Sequence, residues 1–365
     1  MPSSNSIRKI LVMKFRHIGD VLLTTPVFES LRTHLPQAEI HALVNSGTEE
    51  MLTHNPFIDK VLTYNRDIKR LSPLRRLLEE LRFLRFISSQ GYDLTIDLTG
   101  GDRPAVISLV SGAQKRIGVD PRGKGFPGKR WLYTATKTID YETHVVLQNL
   151  SVLEPLGIAP EKTDLYFIIP EDAERRVMEI LAEKGYQSSA PLVHIHPTSR
   201  WFFKCWPPSF TGSIIDFLIN KGMQVAITSS EEEREIRLIN DILNQVKTGR
   251  ETSKKRVFNL SGILNLKELG AVSKRADLFF GIDSAPMHIA AAVGTPVIAL
   301  FGPTRAFNWG PWPRGARGVS PYKHKRGIQR GGPHKVIQLD WPCIPCDRDG
   351  CNGSKRSRCL EEITP

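Results

Sequence analysis

Hydrophobic and polar positions along this chain alternate between two periods. Short apolar runs at Ile10 to Phe15, Glu39 to Val44, Lys60 to Tyr64 and Tyr92 to Leu98 read as buried parallel strands. Stretches with helical spacing separate them: Asp20 to Leu35, closed by Pro36, a short one at Thr48 to His54 and a long one at Leu74 to Gln90. The alternation pauses around residues 155–175, where Pro155, Gly157, Pro160 and Pro170 suggest a linker, and then restarts. Leu192 to His196, Gln224 to Thr228 and Val257 to Leu260 read as strands, with helices at Pro208 to Lys221, Glu231 to Val246 and Leu266 to Ala276. This order predicts an α/β protein with two doubly wound parallel sheets, binding ligands at the carboxyl ends of the strands in a cleft between two halves.

The stretch Gly281 to Gly302 carries the sharpest pattern. Leu278-Phe-Phe280 is a strand, Asp283 and Ser284 are N-cap residues, and Pro286 suits a first helical turn. Ala290-Ala-Ala292 lets a helix lie close to a sheet, Gly294 ends it, and Val297 to Phe301 is a second buried strand. A helix N-terminus at the end of a strand is a ready anion site, with His288 near its first turn. An ordinary scaffold unit with an incidental histidine is the alternative.

Composition narrows the class. The length of 365 residues suits two domains of roughly 150–200 residues. No apolar run is long enough to span a bilayer, and the polar Met1 to Ser6 followed by a strand does not resemble a signal peptide, so a cytoplasmic location is expected. The net charge of +12 calls for an acidic partner: nucleic acid, an anionic membrane or a phosphorylated substrate. No nucleic-acid-binding motif accompanies it. Gly-x-Gly-x-x-Gly is absent from both halves, which disfavours a dinucleotide dehydrogenase.

Three turns after strands could carry chemistry. Lys14 to Pro26 places Gly19 and Asp20 at a strand end, with Lys14, Arg16 and His17 beside them; Asp20 is either a helix cap or a general base. His196 to Pro207 offers Thr198 and Ser199 as hydroxyl and backbone donors and Lys204 as a mobile cation for a diphosphate, with Trp206 read as packing. Thr228 to Glu235 presents acids that either accept from ribose hydroxyls or begin a capped helix.

Two regions lie outside this frame. Leu74 to Ile87 is an amphipathic basic helix, either core-facing with a solvated edge or seated on an anionic leaflet. Cys343, Cys346, Cys351 and Cys359 fall within 17 residues, as a structural zinc site or as free thiols. The closing Ile363-Thr-Pro365 reads as a helix start.

Lys14 to Pro26, Tyr92 to Thr99, Asn149 to Ile158, Pro197 to Trp206 and Gly281 to Gly302, in that order, resemble glycosyltransferase family 9, the lipopolysaccharide heptosyltransferases, and most nearly its heptosyltransferase III subgroup. The resemblance runs from about residue 8 to 310. It implies a GT-B fold, with an acceptor-binding Rossmann-like domain at 1–165, a nucleotide-sugar-binding one at 166–330 and a Cys-rich tail at 331–365. It further implies an inverting transfer from ADP-heptose to a lipid-A-linked inner core, on the cytoplasmic face of the inner membrane, by a peripheral monomer. Asp20 is then the base. Thr198, Ser199, Lys204, Glu233, Asp283, Ser284 and His288 hold the donor, and Lys14, Arg16, His17 and Arg103 the acceptor. No Asp-x-Asp stands in the candidate turns, so catalysis is expected to need no metal. A different nucleotide sugar, or a non-catalytic binder of anionic glycan or nucleic acid, are the rival readings.

Overall fold

The computed structural model describes residues 7–248 and 255–365; the polar stretch Met1 to Ser6 lies outside the described residues. The chain forms two compact units, Met1–Tyr166 and Phe167–Pro365.

The first unit runs β1 (Lys9–Lys14), α1 (Ile18–Leu22), α2 (Thr25–His34), β2 (Glu39–Asn45), β3 (Lys60–Tyr64), α3 (Pro73–Ser88), β4 (Leu94–Asp97), α4 (Asp102–Val110), β5 (Lys115–Val119), β6 (Ala135–Lys137) and α5 (Val145–Ser151). Its sheet has the order β3-β2-β1-β4-β5-β6, with every pair parallel. The order reverses between β1 and β4, so their carboxyl ends form the switch point where such sheets bind ligands. Ile10 to Met13 are fully buried, as strands covered on both faces require.

The helix expected from Asp20 to Leu35 is two helices. Pro26 has no N–H to give the Leu22 carbonyl, and the Thr25 hydroxyl bonds that carbonyl instead at 2.9 Å. The segment expected as a helix at Thr48 to His54 forms only a 3-10 turn, Glu49–Met51.

The second unit runs α6 (Glu171–Glu183), β7 (Leu192–His196), α7 (Pro208–Asn220), β8 (Gln224–Ile227), α8 (Glu233–Asn244), β9 (Val257–Asn259), α9 (Leu266–Arg275), β10 (Leu278–Ile282), α10 (Ala285–Val293), β11 (Val297–Leu300), α11 (Ala306–Trp309), β12 (Gln329–Gly331), β13 (His334–Ile337) and α12 (Arg358–Glu361). The sheet order is β12-β13-β11-β10-β7-β8-β9, parallel except for the β12–β13 hairpin. Its switch point lies between β7 and β10. These two strands approach so closely that a Cβ on Gly281 would stand 2.7 Å from the His196 carbonyl oxygen.

Residues 331–365 belong to this second unit. β13 extends the sheet, and Leu360 and Ile363 pack into the core with Trp206, Ile215 and Ile282. The Trp206 indole N–H donates to the Ile363 carbonyl at 2.9 Å, and the Ser357 hydroxyl to the Phe203 carbonyl at 2.6 Å. Adjacent residues at the junction are anchored separately. Tyr166 donates to Glu29 and packs on Phe57 in the first unit, whereas Phe167 lies against Gly270 and Lys267 in the second.

Candidate functional site

In the second unit the candidate residues gather at the switch point. Thr198 and Ser199 follow β7, Asp283 follows β10, and Ser284 is the N-cap of α10. Lys204 ends a 3-10 turn, Phe202–Lys204, and its ammonium donates to Asp283 Oδ2 at 2.6 Å. The Thr304 hydroxyl donates to the same oxygen at 2.7 Å. Burial pushes the Asp283 carboxyl up, but the Lys204 charge and these two hydrogen bonds outweigh it and hold the group below the usual carboxylate range. The contact sets the Lys204 side chain beside the α10 N-terminus, whose first N–H groups carry partial positive charge outward. The Ser284 hydroxyl turns back to the Ile282 carbonyl at 3.4 Å and does not cap the helix. His288 is buried in the first turn of α10 and lies near enough to act electrostatically on Asp283.

Behind this mouth runs a buried polar chain. Glu235 Oε2 accepts from the Thr198 hydroxyl at 2.7 Å and from the Ser230 N–H at 3.2 Å. With its proton committed to the carboxylate, Thr198 Oγ1 accepts from His196 Nε2 at 3.3 Å. His196 Nδ1 then accepts from the Thr228 hydroxyl, and Thr228 from His194 Nε2, each at 2.8 Å. His194 Nδ1 closes the series on the Ser273 hydroxyl at 2.8 Å. One tautomer assignment satisfies every link, with all donors running toward Glu235. Burial lowers both imidazoles, His196 to about 4 and His194 well below its ordinary value, so both rings are neutral.

This polar network bears on two of the candidate residues. Thr198 cannot offer its hydroxyl proton to a ligand while bound to Glu235, which leaves its backbone N–H. Glu235, and not Glu233, is the turn's buried acid: Glu233 opens α8 on the surface, paired with Arg237 at 2.9 Å. The sequence signal for the chain is His194-x-His196 on an otherwise apolar strand, two polar groups that burial obliges to find partners. Trp206 is buried against Phe210 and Phe280, as expected, while Trp201 stays exposed.

In the first unit the β1 end carries Lys14, and α1 begins at once. His17 is the N-cap and Asp20 the third helical residue, whose carboxylate accepts the His17 N–H at 3.4 Å. Asp20 is part-exposed, and Arg16 and His17 are exposed beside it. Lys14, expected among the acceptor-binding residues, lies inside the unit. Its ammonium is buried, donating to the Leu98 carbonyl at 2.9 Å and to Asn149 Oδ1 at 3.0 Å. Burial draws its pKa down to about 8 against the opposing pull of Asp20. Arg103 is likewise committed, to Glu80 at 3.0 Å and over the Tyr64 ring at 4.2 Å. Asp97, not singled out from the sequence, is fully buried at the end of β4, accepting from Thr99, Gly100 and the Tyr133 hydroxyl.

No disulfide joins the tail cysteines. Cys343 and Cys346 are exposed, and Cys359 is buried and pushed up to about 12 by burial and by the three neighbouring sulfurs. Among the described residues no three His, Cys, Asp or Glu side chains are grouped to hold a metal ion.

The sequence model of glycosyltransferase family 9 (heptosyltransferase) matches residues 80–334. Lipopolysaccharide heptosyltransferase 3 of Escherichia coli (strain K12) is 35% identical over 301 residues, 81% of this chain and 83% of that protein. The crystal structure of a family 9 glycosyl transferase from Veillonella parvula superposes with a TM-score of 0.73 at 22% identity, covering 84% of each chain. The Escherichia coli heptosyltransferase WaaC, solved with ADP, gives 0.67 at 17% identity over 90% of this chain and 92% of that one. The two units are thus the two Rossmann-like halves of a GT-B fold. By its matched residues and its identity to a curated member, the chain belongs to glycosyltransferase family 9 and is a glycosyltransferase.

Proposed function

We propose that this enzyme transfers a heptose from ADP-heptose to the inner core of a lipid-A-linked lipopolysaccharide, with inversion at the anomeric carbon. The Lys204–Asp283 pair at the α10 N-terminus carries the reading, because it fixes positive charge where a departing diphosphate gains negative charge. The likeness to a lipopolysaccharide heptosyltransferase supports the choice of sugar and acceptor class, and the ADP bound in WaaC supports the choice of nucleotide.

In this chemistry an acceptor hydroxyl attacks the anomeric carbon, the new C–O bond forms as the bond to the diphosphate breaks, and ADP leaves. Asp20 takes the hydroxyl proton. Lys204, the backbone N–H groups at Thr198 and Ser199 and the first turn of α10 meet the leaving diphosphate, and His288 lies beside it. Glu235 is occupied by Thr198, so Glu233 accepts from the ribose hydroxyls, giving up a weak surface pair with Arg237. Exposed Arg16 and His17 flank the acceptor, and the transfer draws on no metal. The reaction takes place on the cytoplasmic face of the inner membrane.

Asp20→Asn tests the central assignment. Turnover on core-truncated lipopolysaccharide falls at least about a hundredfold while ADP-heptose affinity by calorimetry is unchanged. A normal transfer rate would remove Asp20 from its role, and transfer only from UDP-sugars would overturn the donor.

A further inference from the structure

Helix α3 presents its apolar stripe outward. Leu74, Leu77, Leu78 and Leu81 follow one helical face and are 47–69% exposed, and in the 16-residue helix only Ile87 is buried. Further exposed apolar side chains lie in and around the helix. Leu71 precedes it, Phe86 lies in its last turn, and α4, packed beside α3, exposes Val106 and Leu109. The Lys129–Leu132 turn, packed on α4, adds Trp131, 83% exposed and next to Arg130, with Phe126 close by in sequence. Ten of the seventeen exposed large apolar side chains among the described residues fall in this span, far more than scattered surface apolars account for.

Charge says what covers this face. Arg66, Lys69, Arg70, Arg75, Arg76, Arg82 and Arg85 line the segment, and its three acids are already partnered: Asp67 with Arg70, Glu79 with Arg82, Glu80 with Arg103 and Tyr64. Arg75, Arg76 and Arg85 have no acidic partner among the described residues. A groove of about 520 Å³ is lined by Ile68, Leu71 and Leu78 together with Arg75, Arg82 and Glu79. A second copy docking here about a two-fold axis would set these arginines against one another. An anionic bilayer offers apolar chains to the leucines and phosphates to the arginines, and an exposed tryptophan suits its interface.

We infer that the α3–α4 face of the first unit, with Trp131, is the surface by which the enzyme seats itself on an anionic lipid bilayer. The inference deepens the proposed function, since it names the surface that meets the membrane presenting the acceptor. The full-length enzyme binds mixed phosphatidylglycerol–phosphatidylcholine vesicles in sedimentation, weakly binds phosphatidylcholine alone, and is released by salt. Replacing Leu74, Leu77, Leu78 and Leu81 with Ser lowers partitioning about tenfold or more, leaves the melting temperature unchanged, and leaves transfer to a delipidated soluble acceptor intact. Arg75→Ala with Arg76→Ala weakens binding to the mixed vesicles only.

Equal binding to both vesicle types, a leucine variant that sediments like the parent, or a dimer that the leucine substitutions dissociate would each overturn the inference. Failure of heptose transfer with vesicle binding preserved would instead overturn the proposed reaction, so the two results are separable.

Discussion

Lys14 and Lys204 show how two lysines at strand ends take opposite roles. Lys204 lies at the mouth, held against the Asp283 carboxylate at 2.6 Å. Lys14 is turned inward, where it ties β1 to the Leu98 carbonyl and to α5 through Asn149. The histidine pair yields a pH prediction at the same scale. An unfolded histidine takes a proton near 6.5, whereas His196 in the fold takes one only near 4. Between these values the unfolded chain binds more protons, so stability is complete above about 6.5 and falls as the pH drops toward 4. Urea titrations at pH 7 and pH 5 measure that slope, and His196→Gln should flatten it. A slope as steep in the variant would mean other groups carry the acid loss.

At the scale of elements, the strands were legible almost to the residue: Lys60 to Tyr64 and Leu192 to His196 form as read. Their apolar runs and flanking turns are local signals. The helices were legible as helices but less so in their continuity and facing. The break at Leu23–Thr24 depends on one proline, and the outward stripe of α3 has the same 3.6-residue period as an inward one. Gly281 has a sharper meaning than its sequence context gave. Gly281→Ala forces a methyl group against the β7 backbone at His196 and should destabilise the second unit by about 1–3 kcal/mol in chemical denaturation. Unchanged stability would show that β7 and β10 part without strain.

For the whole molecule, the division near residue 166 and the strand orders set where each sheet's switch point falls. The second unit also includes what reads as a tail. Leu360 is 1% exposed within the same core as Trp206 and Ile282. Leu360→Ala should therefore cost about 2–5 kcal/mol in chemical denaturation of that unit. A variant as stable as the parent would place residues 357–365 outside the core.

The chain by itself determined the alternation of strands and helices, the pairing of a strand end with a helix N-terminus at Asp283–Ser284, and the family, because periodicity, caps and turn residues act within a few positions of one another. Tertiary structure alone decided that Lys14 is buried while Lys204 stays at the mouth, that Glu235 and not Glu233 meets Thr198, and that α3 turns its leucines outward. Those outcomes depend on partners 37 to 135 residues away, or on which face a neighbouring layer leaves uncovered, and no local pattern encodes either.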